Sequence, residues 1–492
     1  MKFDVVIIGA GLGGLECGYI LSKNGYKVCI LEQAPVLGGC LQTFKRRGIS
    51  YDTGFHYIGA LEKGESLNRI FDYLNLMHLP WQKLDEDCFD EVIIGNESFK
   101  FANGRDKFVE TLSSYFPNEK DNLRKYISTL KEIGDNIFNS LKPREAAEFY
   151  QSKAFTTSAK SFLEETIGDP KLRMVLAGTS LKMELNPNLP LYIFAQINDS
   201  FIQSAWKING GGQQIAESLA NDIRSMGGCV RCNAKVEELK EEDGKIKYAF
   251  LNNGEEIEGE QFISNIHPKA TLNLIKESKL IRNIYRKRIN GMTNTFGMFT
   301  ANIQLKKDSI PYINRNQYIY NTNDIWSFNE RKEKVEAVLV SYQIPEMESA
   351  YTHNIDLLTP MTWKEVELWE NTKVMRRGAK YEKLKQEKAS QCIELAAKNI
   401  DGLWESVENI YTSTPLTYRD YTATCEGSAY GLQKDYSNLM TTMLTPRTPI
   451  PNLLLTGQNL NLHGILGVSM TAFLTCSELL GHNIIQNELK ID

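Results

Sequence analysis

Three glycines and one acid near the start of the chain have the spacing of a site that binds phosphate and ribose. Gly9, Gly11 and Gly14 form the pattern G-x-G-x-x-G, and Glu32 stands about 20 residues further on. The first glycine permits a tight turn, the second lets the backbone approach a pyrophosphate, and the third lets a helix pack on a strand. An acid at the position of Glu32 accepts hydrogen bonds from both ribose hydroxyls and repels a 2′-phosphate. These residues predict a site for FAD or NAD rather than NADP.

The elements around these residues are those of a βαβ unit. Residues 3–8 form an apolar, β-branched run that is typical of a buried parallel strand. A helix is expected from Leu12, with Gly13 in its first turn, to about residue 24, and its positive N-terminus would face the phosphates. The second strand, KVCILE, ends at Glu32. Strand, glycines, helix, second strand and acid therefore occur in the order that the motif demands.

A second pair of glycines favours FAD over NAD. Glu32 is followed by Gln33 and then by Gly38-Gly39, whereas a NAD dehydrogenase usually continues to a third parallel strand. Adjacent glycines allow a loop to cross close to the pyrophosphate and the ribityl chain. The order resembles that of flavoproteins of the glutathione-reductase and amine-oxidase type. In those families a D-x-G turn lies beside the flavin ring, and the resemblance assigns Asp52 and Gly54 to that turn.

Two later segments complete the expected flavin site. In the middle of the chain, glycines at 210–212 lead into a helix over 213–225 and then into strands. Near the C-terminus, an apolar strand ends in glycine and a helix opens at about residue 464, which would place its positive end at the flavin ring. The layout resembles the middle and last parts of the same flavoprotein domain, and this resemblance implies that the cofactor-binding residues here are Val236, Asn265, Gly457, Gln458, Gly467 and Val468.

The predicted fold class is α/β, with a Rossmann-like FAD-binding domain of the glutathione-reductase or amine-oxidase type. This domain is discontinuous and comprises residues 1–75, 205–276 and 436–492. Residues 76–204 and 277–435 form an inserted α+β substrate domain. The first insert has apolar residues at helical spacing, and the second mixes strands with a long charged helix expected over 369–400.

Several motifs resemble one branch of the flavoproteins. They are DTGFHYIG at 52–59, RRGAKYEKLK at 376–385, and a C-terminal third that ends in TPRTPIPNLLLTGQNLNLHGILGV. Together they resemble the retinol saturase and carotenoid isomerase branch of the phytoene desaturase-like FAD-dependent oxidoreductases. Many related flavoproteins carry an acid where this chain has Gln458, and the sequence LTGQ agrees with the saturase branch. An amide can still hydrogen-bond a ribityl hydroxyl.

The resemblance implies an enzyme that acts on C–C or C=C bonds of an apolar polyene or isoprenoid lipid. Desaturation, saturation and isomerisation all remain open, with hydride exchange through flavin N5. Saturation would also need a proton donor, and the residues expected to face the flavin are His56, Tyr57 and Tyr430. His56 could equally be a packed, hydrogen-bonded histidine with no part in the reaction. The electron donor or acceptor is a nicotinamide, a quinone or oxygen.

Two other functions compete with this interpretation. A flavin amine oxidase shares the cofactor domain but needs an aromatic cage, for which Tyr418, Tyr421 and Tyr430 are the available residues. A non-catalytic protein that holds FAD structurally and binds a lipid is the third alternative. The intact Gly-Gly turn and the helix expected at the flavin argue against the third.

Composition excludes other classes. The 492-residue chain has a formal net charge of −5, which gives no basic field for nucleic acid. Its nine cysteines do not suggest a disulfide framework or a metal site, and the chain is expected in the cytoplasm. No signal peptide and no membrane-spanning helix is predicted. The basic segment RNIYRKRI at 282–289 leaves peripheral contact with an anionic bilayer open beside the alternative of a solvated helix face.

Overall fold

The computed structural model describes residues 2–141, 152–184, 186–327, 334–345 and 349–490. Its strands are β1 Lys2–Ile8, β2 Val28–Leu31, β3 Thr43–Arg46, β4 Ile49–Asp52, β5 Ile58–Gly59, β6 Trp81–Lys83, β7 Asp90–Ile94, β8 Glu97–Phe101, β9 Ala205–Ile208, β10 Cys229–Arg231, β11 Val236–Glu242, β12 Lys245–Leu251, β13 Glu256–Ser264, β14 Gly297–Leu305, β15 Asn316–Tyr320, β16 Ala337–Tyr342, β17 Asn354–Met361, β18 Val407–Ser413 and β19 Leu453–Leu455.

Helices fill the connections between these strands. They are α1 Leu12–Lys23, α2 Ser66–Tyr73, α3 Arg105–Tyr115, α4 Lys120–Asp135, α5 Lys153–Thr156, α6 Ala159–Thr166, α7 Pro170–Ala177, α8 Leu191–Gln203, α9 Gln213–Ser225, α10 Pro268–Leu274, α11 Asn283–Asn290, α12 Ala379–Ala396, α13 Leu403–Ser406, α14 Pro415–Thr422, α15 Leu439–Thr442, α16 Gly464–Leu480 and α17 His482–Glu488. None of the helices in these described ranges is both long and apolar enough to cross a bilayer.

The first sheet joins the beginning, middle and end of the chain. Its order is β10-β2-β1-β13-β12-β11, and β19 also pairs with β13. β1 lies parallel to both β2 and β13, and β19 lies parallel to β13. From Val5 to Ile8 the strand is buried, which explains its apolar, β-branched sequence. α1 packs against α9 and α16, so helices from all three segments cover the sheet together.

The second sheet is built from the intervening segments. Its order is β18-β14-β17-β16-β15-β7-β8, and its neighbours are antiparallel except for the pair β7 and β15. A small sheet of order β5-β9-β6 takes strands from both sets of segments. The first sheet thus contains strands from residues 2–31, 229–264 and 453–455, and the second contains strands from residues 90–101 and 297–413. The exact domain bounds remain a prediction.

One expected helix is shorter in the structure than its sequence suggests. The charged helix α12 begins only at Ala379, because Gly378 adopts φ +83° and interrupts the helical backbone before it. The aromatic segment Leu191–Gln203 forms the buried helix α8. However, α8 also contributes Gln196, Ile197 and Ser200 to the wall of the main cavity. The helix α8 therefore both packs in the core and lines the cavity.

The basic segment at 282–289 falls on α11. Ile284 is 77% exposed on this helix, whereas Ile289 is buried. Arg286 donates to the backbone oxygens of Leu272 and Ile275, so one of the basic groups is used inside the protein. Contact of this helix with a membrane, and a cytoplasmic location, both remain predictions.

Candidate functional site

One large cavity lies where the three segments of the first sheet meet. Its volume is about 560 Å³. Among its lining residues are fifteen of those expected to bind the cofactor, namely Gly9, Gly11, Leu12, Gly13, Glu32, Gln33, Gly38, Gly39, Gly54, Val236, Asn265, Gly457, Gln458, Gly467 and Val468. His56, Tyr57 and Tyr430 line it as well. The structure therefore brings together residues that are hundreds of positions apart in the sequence.

The glycines of the first motif permit backbone contacts that any side chain would block. A Cβ atom on Gly14 would lie 2.1 Å from the carbonyl oxygen of Gly9. A Cβ atom on Gly13 would lie 2.8 Å from Asn265 Oδ1 and 3.2 Å from the Cα atom of Gly457. The start of α1 is thus in contact with the middle and C-terminal segments, and the N–H groups of its first turn are left to face the cavity.

The Gly-Gly turn docks on the first motif. The backbone N–H of Gly38 donates to the carbonyl oxygen of Ala10 at 2.9 Å, and Gly38 forms a parallel bridge with Gly11. Gly38 has φ +104° and Gly39 has φ +56°, conformations that favour glycine. The two glycine-rich loops therefore form one continuous cradle.

The carboxylate of Glu32 is held in a fixed orientation at the edge of this cradle. Oε2 accepts a hydrogen bond from the N–H of Ala10, and Oε1 accepts one from the N–H of Ala34, both at 2.8 Å. Each carboxylate oxygen has a further lone pair to offer. Glu32 is thus ready to accept two ribose hydroxyls without rearrangement.

Asp52 lies behind the cavity rather than in its wall. Its Oδ1 accepts a hydrogen bond from the N–H of Gly212 at 2.8 Å. Burial raises the pKa of Asp52 to about 7. The side chain fastens the middle glycine segment to β4, and Gly14 likewise acts on the cradle without lining the cavity. Both positions support residues that do line it.

The C-terminal helix presents an uncompensated positive end to the cavity. α16 begins at Gly464, with Gly467 and Val468 in its wall-lining first turns, and no acidic residue lies in its first turn. A Cβ atom on Gly467 would lie 2.6 Å from the backbone of Leu462, so the entry into the helix requires glycine there. The dipole of a helix placed in this way stabilises negative charge in front of it.

Unpaired polar atoms at the cavity wall also point to a bound group. Within the described residues, His56 Nδ1, Asn461 Oδ1 and His463 Nε2 are buried without a hydrogen-bond partner. His56 and His463 line the cavity. Burial lowers the pKa of His56 to about 4 and that of His463 to about 3, so both imidazoles are neutral at pH 7. The donor set, the glycine cradle and these unpaired atoms fit a flavin dinucleotide.

Tyr57 belongs to a buried polar network at the far side of the cavity. Its hydroxyl donates to Asp90 Oδ2 at 2.7 Å and lies 2.5 Å from the hydroxyl of Tyr318. Asp90 Oδ1 accepts a hydrogen bond from Asn316 Nδ2 at 3.0 Å. Burial raises the pKa of both Asp90 and Tyr57. The phenol is therefore an ordered, neutral group at pH 7.

Tyr430 holds backbone as well as lining the cavity. Its hydroxyl donates to the carbonyl oxygen of Leu181, and its ring lies 4.6 Å from the ring of His463. Tyr430 therefore helps to position the short 3₁₀ turn Ser180–Lys182 at the cavity wall.

Lys182 is a cavity residue that sequence reasoning missed. Its side chain is 9% exposed, and its Nζ lies 3.8 Å from Asp90 Oδ2 and 4.2 Å from the centre of the Phe201 ring. Burial lowers the pKa of Lys182 to about 8. A single lysine in LAGTSLKMEL carries no pattern that marks it, since Asp90 and Phe201 are distant in sequence. For His463, its place directly before Gly464, the first residue of α16, was an available signal.

Two of the tyrosines available for an amine oxidase cage are either engaged in other hydrogen bonds or exposed. Tyr418 donates to the carbonyl oxygen of Thr53 at 3.2 Å and shares a hydrogen bond with Thr300 at 2.7 Å. Tyr421 is 56% exposed at the cavity rim. In the part of the chain that the structure describes, no cluster of His, Cys, Asp and Glu could hold a metal ion.

The sequence is similar to those of several known proteins. Residues 7–74 match the model of the NAD(P)-binding Rossmann-like domain. The chain is 27% identical to all-trans-retinol 13,14-reductase of Rattus norvegicus, over 98% of this chain and 86% of that protein. It is 24% identical to prolycopene isomerase 2, chloroplastic, of an Oncidium hybrid cultivar, over 87% of this chain and 75% of that protein. A 4,4'-diapophytoene desaturase of Methylomonas sp is 26% identical over 53% of each chain.

The backbone resembles that of a solved flavoprotein. Wild-type putrescine oxidase superposes with a TM-score of 0.65 at 15% identity, over 98% of this chain and 99% of that chain. At this identity the likeness shows the fold alone. The predicted fold class and the resemblance to the retinol saturase, carotenoid isomerase and phytoene desaturase proteins are both confirmed.

Proposed function

We propose that this protein is an FAD-dependent oxidoreductase that acts on carbon–carbon bonds of an apolar polyene. The observation that carries the proposal is the meeting of Gly13, Asn265, Gly457 and Glu32 around one cavity. The relatives that match most of the chain are named for reactions on retinol and prolycopene, which supports the polyene as the substrate class.

The nucleotide half of the cavity has a role for each group of residues. Glu32 accepts the ribose hydroxyls, and the N–H groups at the start of α1 bind the pyrophosphate. Val236 and Gln458 line the same cavity and would contact the adenine and the ribityl chain, respectively. The positive end of α16 stabilises negative charge at the ring. FAD, when bound, supplies a hydride acceptor or donor at N5.

The other half of the cavity suits an apolar substrate. Its wall includes the side chains of Ile58, Leu181, Ile197, Met298, Leu339 and Leu358. Transfer of apolar surface from water into such a wall contributes about 25 cal/mol per Å². The wall also excludes water from the reacting carbons, so orientation against the flavin is the main contribution of the protein.

The residues available for an amine oxidase cage are engaged in other contacts or exposed. The hydroxyls of Tyr418 and Tyr430 donate to the backbone oxygens of Thr53 and Leu181, and Tyr421 is 56% exposed. The fold is shared, and function depends on the site. The polyene reaction is therefore the better-supported activity.

The proposal is tested with the purified holoprotein. The flavin is reduced without oxygen and mixed with retinol, with a carotenoid, or with a saturated isoprenoid of similar length as the control. We expect flavin reoxidation or a changed polyene, detected by absorbance and mass spectrometry, with the two polyenes only. Mixing the reduced protein with a nicotinamide, a quinone or oxygen then identifies the electron partner.

Two results would overturn the proposal. The first is a colourless native protein that takes up no flavin when it is supplied. The second is reduction of the flavin by putrescine with peroxide release, together with no change in either polyene, which would establish an amine oxidase.

A further inference from the structure

Lys182 places a positive charge at the wall of the cavity, beside Asp90 and Tyr57. Its side chain is more than nine-tenths buried and lines the cavity. An ammonium group has three N–H donors and accepts nothing. Within the described residues, its nearest carboxylate oxygen, Asp90 Oδ2, lies at 3.8 Å, which is too long for a normal hydrogen bond. The Phe201 ring at 4.2 Å interacts with the charge but accepts no conventional hydrogen bond.

The donors of Lys182 are therefore incompletely satisfied where the substrate would lie. Asp90 attracts the ammonium but lies too far away to accept a hydrogen bond from it, and its oxygens accept from Tyr57 and Asn316 instead. Burying an unpaired donor of a charged group is costly. A hydrocarbon substrate would leave this cost in place, whereas an oxygen on the substrate would remove it.

The backbone next to this lysine is held in place. Tyr430 donates to the carbonyl oxygen of Leu181, and its ring packs on that of His463. His463 directly precedes α16, the helix whose N-terminal turns line the nucleotide half of the cavity. The ammonium is thus held at the junction between the nucleotide half and the apolar half.

We propose that Lys182 binds an oxygen atom at one end of the polyene, so that the substrates are oxygenated polyenes rather than pure hydrocarbons. This inference rests on the proposed function. Asp90 already lies next to the ammonium, and a second anion there would meet like charge. We therefore expect a hydroxyl to bind more tightly than a carboxylate.

The test compares three ligands that share one polyene chain. They are retinol, retinoate, and the hydrocarbon in which a methyl group replaces the CH2OH group of retinol. Binding to the oxidised holoprotein is followed by quenching of tryptophan fluorescence. We expect retinol to bind about tenfold or more tightly than the hydrocarbon, as for one charge-assisted hydrogen bond.

Variants assign the difference to Lys182. Lys182→Met retains the length of the side chain and should reduce the preference for retinol to less than twofold, whereas Lys182→Arg should preserve most of it. Lys125→Met, at an exposed position on α4, is the matched control and should change nothing. If Lys182→Met fails to fold, the double variant with Asp90→Asn removes both charges and serves in its place.

The outcomes separate this inference from the proposed function. If the parent binds alcohol and hydrocarbon equally, or if Lys182→Met retains the full preference, the anchoring role is wrong while polyene binding stands. If no polyene binds at all, the proposed function fails as well. If retinoate binds more tightly than retinol and Lys182→Met removes that gain, the lysine still anchors an oxygen, and the anion is its preferred form.

Discussion

Replacing Glu32 by glutamine tests the assignment of the ribose site with a change of one atom. In the parent each carboxylate oxygen accepts a backbone N–H at 2.8 Å. In Glu32→Gln an NH2 group replaces one oxygen and faces the N–H of either Ala10 or Ala34. That amide loses its acceptor, which costs about 1–3 kcal/mol. The charge that strengthens the hydrogen bonds from the ribose hydroxyls is lost as well.

Only the part of this free-energy cost that arises when FAD is bound lowers the affinity for FAD. We expect about 2–3 kcal/mol, which corresponds to roughly 30- to 150-fold weaker binding of FAD. The measurement is a titration of the apoprotein with FAD, followed by quenching of flavin fluorescence. Thermal unfolding of the apoprotein gives the separate effect on stability. Glu256→Gln, at an exposed position in the same sheet, is the control and should bind FAD like the parent.

One result refutes the reasoning directly. If Glu32→Gln binds FAD within twofold of the parent, the carboxylate does not hold the ribose, whatever happens to stability. Equal loss of affinity in Glu256→Gln would show that the effect is general and not local. Glu32→Arg should retain no flavin, and a yellow preparation of that variant would contradict the same assignment.

Three further predictions follow from the packing. Gly14→Ala should abolish flavin retention and lower the melting temperature, because its Cβ would lie 2.1 Å from the backbone oxygen of Gly9. Burial raises the pKa of Glu16 to about 8 in the folded protein, compared with about 4.5 in the unfolded chain. The folded state therefore holds the proton more tightly. The free energy of unfolding is highest below pH 4.5 and falls as the pH rises towards 8. Glu16→Gln should therefore gain roughly 3–4 kcal/mol on the parent between pH 5 and pH 8 in denaturant titrations. Arg105→Met should destabilise by about 3–5 kcal/mol, because Asp199 is fully buried and its two oxygens accept from Arg105 at 2.8 and 2.7 Å.

Each of these changes has a matched control. Gly48→Asn lies at an open position with a φ that asparagine tolerates, and it should leave flavin binding intact. Glu110→Gln is exposed and should not alter the pH dependence of unfolding. Arg124→Met removes an exposed ion pair with Asp121 and should cost less than about 1 kcal/mol. If a control variant changes the measured property as much as the variant it is paired with, the argument made for that variant is wrong.

The nucleotide half of the site could be predicted from the sequence because its requirements are local. A tight turn, a close backbone approach and an acid after a strand each demand particular residues at short spacing, as at Gly9, Gly11 and Glu32. The helix over 213–225 was predicted at its observed bounds for the same reason, since its apolar residues recur at helical spacing. Convergence of the three segments followed from the family resemblance, and the structure shows the atoms that meet.

The substrate half could not be predicted in the same way, because its contacts are long-range. Tyr57 was named for its closeness to a motif, and the structure adds Asp90 and Tyr318 as its partners. Lys182 was missed because its charge is offset by a residue on β7 that no spacing rule connects to it. The long helix expected over 369–400 was too long at its N-terminal end, because the conformation of Gly378 outweighs the propensity of its neighbours.

The pairing of β19 with β13, and of β13 with β1, has a consequence for synthesis on the ribosome. β1 is synthesised long before β19, so the sheet gains the strand that pairs with the far side of β13 only after Leu455 has been made. Until α16 follows, the surface of α1 that packs on it stays uncovered. The nascent chain therefore carries exposed apolar surface from the synthesis of α1 until that of α16. A chaperone that shields this surface should raise the yield of yellow protein, and a stop codon before Gly457 should give a product that holds no flavin.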